Sequence, residues 1–210
     1  EIGGGFGTLG EILYQIPEHK IRYIDIDLPP IFLIAFKYLK NACNLKKEDY
    51  FLSNLNDKQE VINISDLPSF SFFPTWEIEK LRGKIDLFVN FISFQEMEPF
   101  IVKNYLKIIS SIKTQYVLLR NLREGKQKAT KDSVGVISPV LTEDYSKFLS
   151  EYDLIGSNIY PFGYKTEDGF NSELLVFEDG GHCDFLSDMP MVNDFTSEFM
   201  YDFVCSEVND

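Results

Sequence analysis

The sequence predicts an α/β domain with a mostly parallel sheet and helices on both of its faces. Three observations predict it. Strand-like and helix-like segments alternate along most of the chain. Two strand-like runs, residues 85–90 and 115–119, are almost continuously apolar, as strands covered on both faces are. The first two residues run into a glycine cluster that opens a helix, the usual form of a strand-to-helix turn that cradles a ligand.

The elements follow in order. Glu1-Ile2 reads as the end of a strand, which implies sequence upstream of it, and Thr8 to Tyr14 as the helix after the glycines. Residues 21–26 are rich in β-branched and aromatic side chains and read as a strand. Pro29-Pro30 suits a helix start, and Ile31, Ile34, Ala35, Tyr38 and Leu39 follow at helical spacing. Residues 41–71 are hard to assign; 61–64 and 70–73 are candidate strand pieces without a readable register. A helix is predicted over 99–112, and a polar, mobile loop over 120–136. A helix capped by Thr142 runs to Leu149, and two closing strands follow at 154–160 and 173–177. Residues 1–179 make one domain. Residues 180–210 form an extension in which Phe195, Phe199, Met200, Phe203 and Val204 share a helical stripe. Such a stripe packs on its own domain or forms a dimer or substrate-side contact.

Composition excludes several classes. A formal net charge of −13 disfavours nucleic acid as a partner. No apolar run has the length of a membrane span. Cys43, Cys183 and Cys205 have no metal-ligand or C-x-x-C spacing, which points to a reducing, cytoplasmic setting. With two histidines and no ligand pattern, no bound metal is expected.

The chemistry concentrates at the N-terminus. Gly5-Phe6-Gly7-Thr8-Leu9-Gly10 fits G-x-G-x-x-G, and the overlapping Glu1-Ile2-Gly3-Gly4-Gly5-Phe6-Gly7 fits E-x-G-x-G-x-G. Asp25 and Asp27 both lie 20 residues beyond a glycine of this cluster, Gly5 and Gly7 respectively. A carboxylate there can accept both hydroxyls of a ribose. One of the two aspartates is expected to hold the ribose, Asp27 by preference, and the other to be a solvated strand end.

The E-x-G-x-G-x-G segment resembles motif I of class I S-adenosylmethionine (SAM)-dependent methyltransferases. Asp27-Leu28-Pro29-Pro30, Phe73-Pro74-Thr75-Trp76-Glu77-Ile78-Glu79 and the Asn90-Phe91-Ile92-Ser93-Phe94-Gln95-Glu96-Met97 stretch together resemble the sugar O-methyltransferase family. The resemblance spans residues 1–121. It implies a Rossmann-like methyltransferase fold: a mostly parallel seven-stranded sheet with an antiparallel closing hairpin. It implies SAM as cofactor, with Glu1, Gly3, Gly5, Gly7, Asp27 and Asn90 in its site. The acceptor is expected to be a small molecule, a sugar or its relative. An acid at Glu1 suits the cationic amino group of a methionine better than a pyrophosphate. The alternatives are an NAD(P)-dependent oxidoreductase and a binding module without catalysis.

A sugar hydroxyl needs a base or a metal to become nucleophilic. The loop after the 85–90 strand offers Glu96 as that base and Ser93 and Gln95 as acceptor contacts; Asn121 ends the next strand and is a third contact. His182 is the rival base. Glu96 reads equally as a helix N-terminal carboxylate and His182 as a surface histidine. Trp76 stacks on a ring or fills the core.

Overall fold

The computed structural model describes residues 1–16, 21–54, 60–159, 165–166, 169–170 and 172–180. Its principal strands are β1 (Tyr23–Asp27), β2 (Tyr50–Leu52), β4 (Phe70–Pro74), β6 (Leu87–Phe91), β7 (Tyr116–Leu122), β8 (Tyr152–Ile159) and β11 (Ser172–Asp179). Short pairs β3 (Ile62–Asn63) with β5 (Leu81–Arg82), and β9 (Lys165–Thr166) with β10 (Gly169–Phe170), lie between them. The helices are α1 (Thr8–Tyr14), α2 (Pro29–Ala42), α3 (Pro99–Ser111) and α4 (Thr142–Phe148).

Two sheets take the place of the single seven-stranded sheet expected. One is parallel, in the order β1-β4-β2; the other is mixed, in the order β6-β7-β11-β8. β6 and β7 are parallel, and β11 runs antiparallel to both β7 and β8. Ile2 stands between the sheets. It bridges Ile26 of β1, and its N–H donates to the Val89 carbonyl of β6 at 3.2 Å.

Side-chain alternation divides the core. Tyr23, Phe70 and Phe72 face Phe32, Ala35 and Leu39 of α2. Ile26, Phe73, Phe88, Val117 and Leu119 face Val102, Leu106 and Ile109 of α3, with Tyr145 of α4 in the same cluster. α1 and α2 therefore cover one face, and α3 and α4 the other. Pro29 and Pro30 open α2, and Pro99 opens α3, where a missing N–H costs nothing.

Several expectations are corrected. β7 extends to Leu122, so the loop begins later than residue 120, because Arg120, Asn121 and Leu122 pair with β11. Thr142 is the first residue of α4 and not its cap; the Leu141 N–H there donates to the Asp144 carboxylate at 3.1 Å. β2 was not anticipated at all. The extension from residue 181 onward, with its stripe, lies outside the described residues.

Candidate cofactor and acceptor site

The parallel strands bring the carboxyl ends of Glu1-Ile2, β1, β4, β6 and β7 to one edge, where ligands of open α/β sheets sit. The glycine loop crosses that edge. Gly3, Gly5 and Gly7 have φ of 76°, 60° and 81°, all in the left-handed region that side chains resist. These are the three glycines of the E-x-G-x-G-x-G pattern. A Cβ built on Gly5 meets nothing within 4 Å, so its backbone borders open space. Gly4 differs: a Cβ there would lie 2.6 Å from Asp25 Oδ1 and 2.8 Å from the Tyr23 hydroxyl. The loop is thus pressed down at Gly4 and open at Gly5.

The two aspartates separate sharply. Asp27 is half-buried at the end of β1; its carboxylate accepts the Gly5 N–H at 3.1 Å and the Leu28 N–H at 2.7 Å. This joins loop and acid into one site. Asp25, one step back on the same face, is fully buried, and neither of its oxygens has a well-formed hydrogen bond. It is not the solvated strand end expected for the second aspartate. Burial pushes its carboxyl up to about 7, with Glu1 and Asp27 adding to the effect and the Gly4 amide opposing it. Burial likewise raises Glu1, whose carboxylate accepts the Tyr23 hydroxyl. Glu1, Tyr23, Asp25 and Asp27 form an acidic floor beneath the glycines.

The loop after β6 is held by a buried amide network. Asn90, fully buried, donates to the Ile2 carbonyl at 3.0 Å and to Ser93 Oγ. Its Oδ1 accepts the Phe94 N–H at 3.1 Å and Asn121 Nδ2 at 3.2 Å. Asn121 Oδ1 accepts the Gln95 N–H at 3.1 Å, and Gln95 Oε1 accepts the Leu122 N–H at 2.9 Å. Ser93 Oγ reaches the Ile2 carbonyl at 3.1 Å. The structure therefore brings Asn90, Ser93, Gln95 and Asn121 together, with Asn90, Gln95 and Asn121 buried and bonded to protein. Glu96 is exposed and pairs with Lys126. His182 lies outside the described residues.

Three features escaped the sequence. Ile92 has φ of 72°, costly for a β-branched residue, in the turn that leaves β6. The burial of Asp25 depends on where Gly4 lands. The partner of Glu96, Lys126, lies 30 positions away. None of these carries a spacing signal. Trp76 is 54% exposed, so it is not a core residue; it borders a groove with Thr75, Phe100, Ile101 and Tyr105. Among the described residues, no group of three or more His, Cys, Asp and Glu is placed to hold a metal ion, and no helix is long and apolar enough to cross a membrane.

Solved structures of SAM-dependent methyltransferases share this Rossmann-like fold. A magnesium protoporphyrin IX methyltransferase from Synechocystis PCC 6803, crystallised with bound SAM, aligns with a TM-score of 0.53 at 14% identity, over 85% of this chain and 67% of its own. A SAM-dependent methyltransferase from Clostridium acetobutylicum ATCC 824 aligns with a TM-score of 0.54 at 14% identity, over 86% of this chain and 82% of its own. The mitomycin 7-O-methyltransferase MmcR aligns with a TM-score of 0.54 at 15% identity, and there the chain spans 47% of the neighbour's length. At these identities the likeness is one of fold. No family model and no curated protein sequence matches the chain.

Proposed function

We propose that this chain is a SAM-dependent O-methyltransferase domain acting on a hydroxyl of a sugar or a related small molecule. One observation carries the cofactor: the three pattern glycines all take left-handed φ, and the Gly5 amide sits on the Asp27 carboxylate beside open space. Solved neighbours that hold SAM or S-adenosylhomocysteine support this assignment. Asp27 would hold the ribose, Gly3, Gly5 and Gly7 would border the cofactor, and Glu1 would face its amino group. Asn90 would act through the Ile2 carbonyl, fixing the loop from below. SAM, when bound, supplies an electrophilic methyl group. Catalysis by the chain then rests largely on positioning. Glu96 would take the acceptor's proton, and the segment 93–96, fixed by Asn121 and Gln95, would hold that carboxylate at the edge. The sugar class rests on the resemblance of residues 27–30, 73–79 and 90–97 alone.

Calorimetric titration tests the cofactor. SAM should bind and NAD should not, and Asp27→Ala should weaken SAM on the order of 1.5–3 kcal/mol. Binding of NAD in place of SAM would return the chain to the oxidoreductases. Glu96→Gln should keep SAM affinity while lowering turnover about 10²–10⁴-fold on a panel of monosaccharides and nucleotide sugars. If it turns over at the wild-type rate while His182→Ala is inactive, the base lies on the C-terminal extension.

A further inference from the structure

The segment from Arg123 to Leu141 that follows β7 is closed on itself. The Val136 N–H donates to the Gln127 carbonyl at 3.1 Å, the Ala129 N–H to the Val136 carbonyl at 2.9 Å, and Gln127 Nε2 to the Val134 carbonyl at 3.0 Å. Thr130 and Ser133 close its tip through their hydroxyls, 2.7 Å apart. Packing is tight: a Cβ on Gly135 would lie 2.2 Å from the Gln127 carbonyl oxygen. At its roots, the Gly125 N–H donates to Leu122 at 3.1 Å and the Thr142 N–H to Arg123 at 3.0 Å.

Two carboxylates of the β6–α3 connection fasten this loop. Glu98 accepts the consecutive N–H groups of Ile137 and Ser138, at 2.7 and 3.0 Å, one on each oxygen. Glu96 receives Lys126, whose Nζ lies 2.8 Å from Oε1 and 2.7 Å from Oε2. The fasteners differ in kind. The Glu98 contact is to backbone and independent of side chains in the loop. The Glu96 contact is an ion pair with 33% and 46% of its side chains exposed, open to competition and to salt. It also spans both oxygens of the carboxylate assigned above as the base, so an acceptor hydroxyl meets the ammonium as a rival.

We propose that Lys126 is a positioning residue that latches the 123–141 loop onto Glu96, and that acceptor entry exchanges Lys126 for the acceptor hydroxyl while Glu98 serves as the hinge. The proposal rests on Glu96 being the base. It makes the loop a gate whose closed form keeps that carboxylate oriented and occupied until an acceptor competes for it.

Hydrogen–deuterium exchange of the whole chain, read on peptides covering 124–138, tests the latch without an acceptor. Lys126→Met should speed exchange there about fivefold, and Lys126→Arg should restore the wild-type rate. Peptides from 116–122 should not change. Raising NaCl to about 1 M should speed the loop in the wild type and leave Lys126→Met unaffected, because screening acts only on the charge pair. Glu96→Gln should open the loop as Lys126→Met does, and the double variant no further. Equal exchange in wild type and Lys126→Met, or equal exchange in the Met and Arg variants, overturns the latch even if Glu96→Gln is inactive. If the loop responds as stated but Glu96→Gln turns over normally, the latch guards no base, and the proposal falls with the assignment it rests on.

Discussion

Asp25 lies under Gly4 without solvent contact, its carboxyl raised by burial to about 7 from an ordinary 3.8. The native state therefore binds this proton more tightly than the unfolded chain does. The stabilisation from the protonated form is complete below the unfolded value and is lost as pH rises through about 7. Asp25→Asn should keep the shape without the titration. Thermal melts at about pH 4 and pH 8 should show the wild type losing up to about 4 kcal/mol more than the variant across that interval. Parallel pH dependences in the two proteins would show that Asp25 is already ionised in the native state. Sequence spacing could not separate Asp25 from Asp27, since alternate strand residues share a face and each lies the same distance from a glycine. What separates them is the loop's path, down onto one and open above the other. Ile92 is a similar case: its left-handed φ occurs together with an Ile92 N–H that donates to the Arg120 carbonyl at 2.7 Å, a long-range contact with no local signature.

Among the elements, β6 and β7 were legible because burial on both faces writes itself as an apolar run. α2 and α3 were legible because prolines mark their first turns. β2 was not, having three half-buried residues whose register comes wholly from pairing with β4. The amide network that ties β6 to β7 was visible only as separate polar residues at strand ends. Its geometry makes them one unit. Asn90→Ala would leave the Phe94 N–H and Asn121 Nδ2 short of a partner in a buried place, and the Ile2 carbonyl with Ser93 Oγ alone of its two side-chain donors. Urea denaturation should register a loss of about 2–4 kcal/mol. A loss below about 1 kcal/mol would mean that the loop re-forms its bonds without the amide.

At the scale of the whole molecule, the two sheets meet through Ile2, so the glycine loop that follows it is anchored to both. The acidic floor contributes to the net charge of −13, and it places acidic groups where a cationic cofactor would enter. With two histidines and no metal-ligand spacing in the sequence, the chain's own chemistry is expected to proceed without a resident metal. Turnover should survive EDTA. Loss of activity in EDTA, with recovery on adding Mg²⁺, would assign a carboxylate-held metal to the site instead.

Trp76 is the only tryptophan in the sequence and stands half in solvent beside α3, two residues beyond the end of β4. The chain thus carries a single indole fluorophore at the rim of its ligand edge. Its emission should already be red-shifted in the native state, and unfolding should move it little. A blue shift on adding SAM or an acceptor would report that the groove between Trp76 and Phe100 has been covered. Emission from the tyrosines, of which Tyr23, Tyr116, Tyr145 and Tyr152 are buried, is the better signal for loss of the fold.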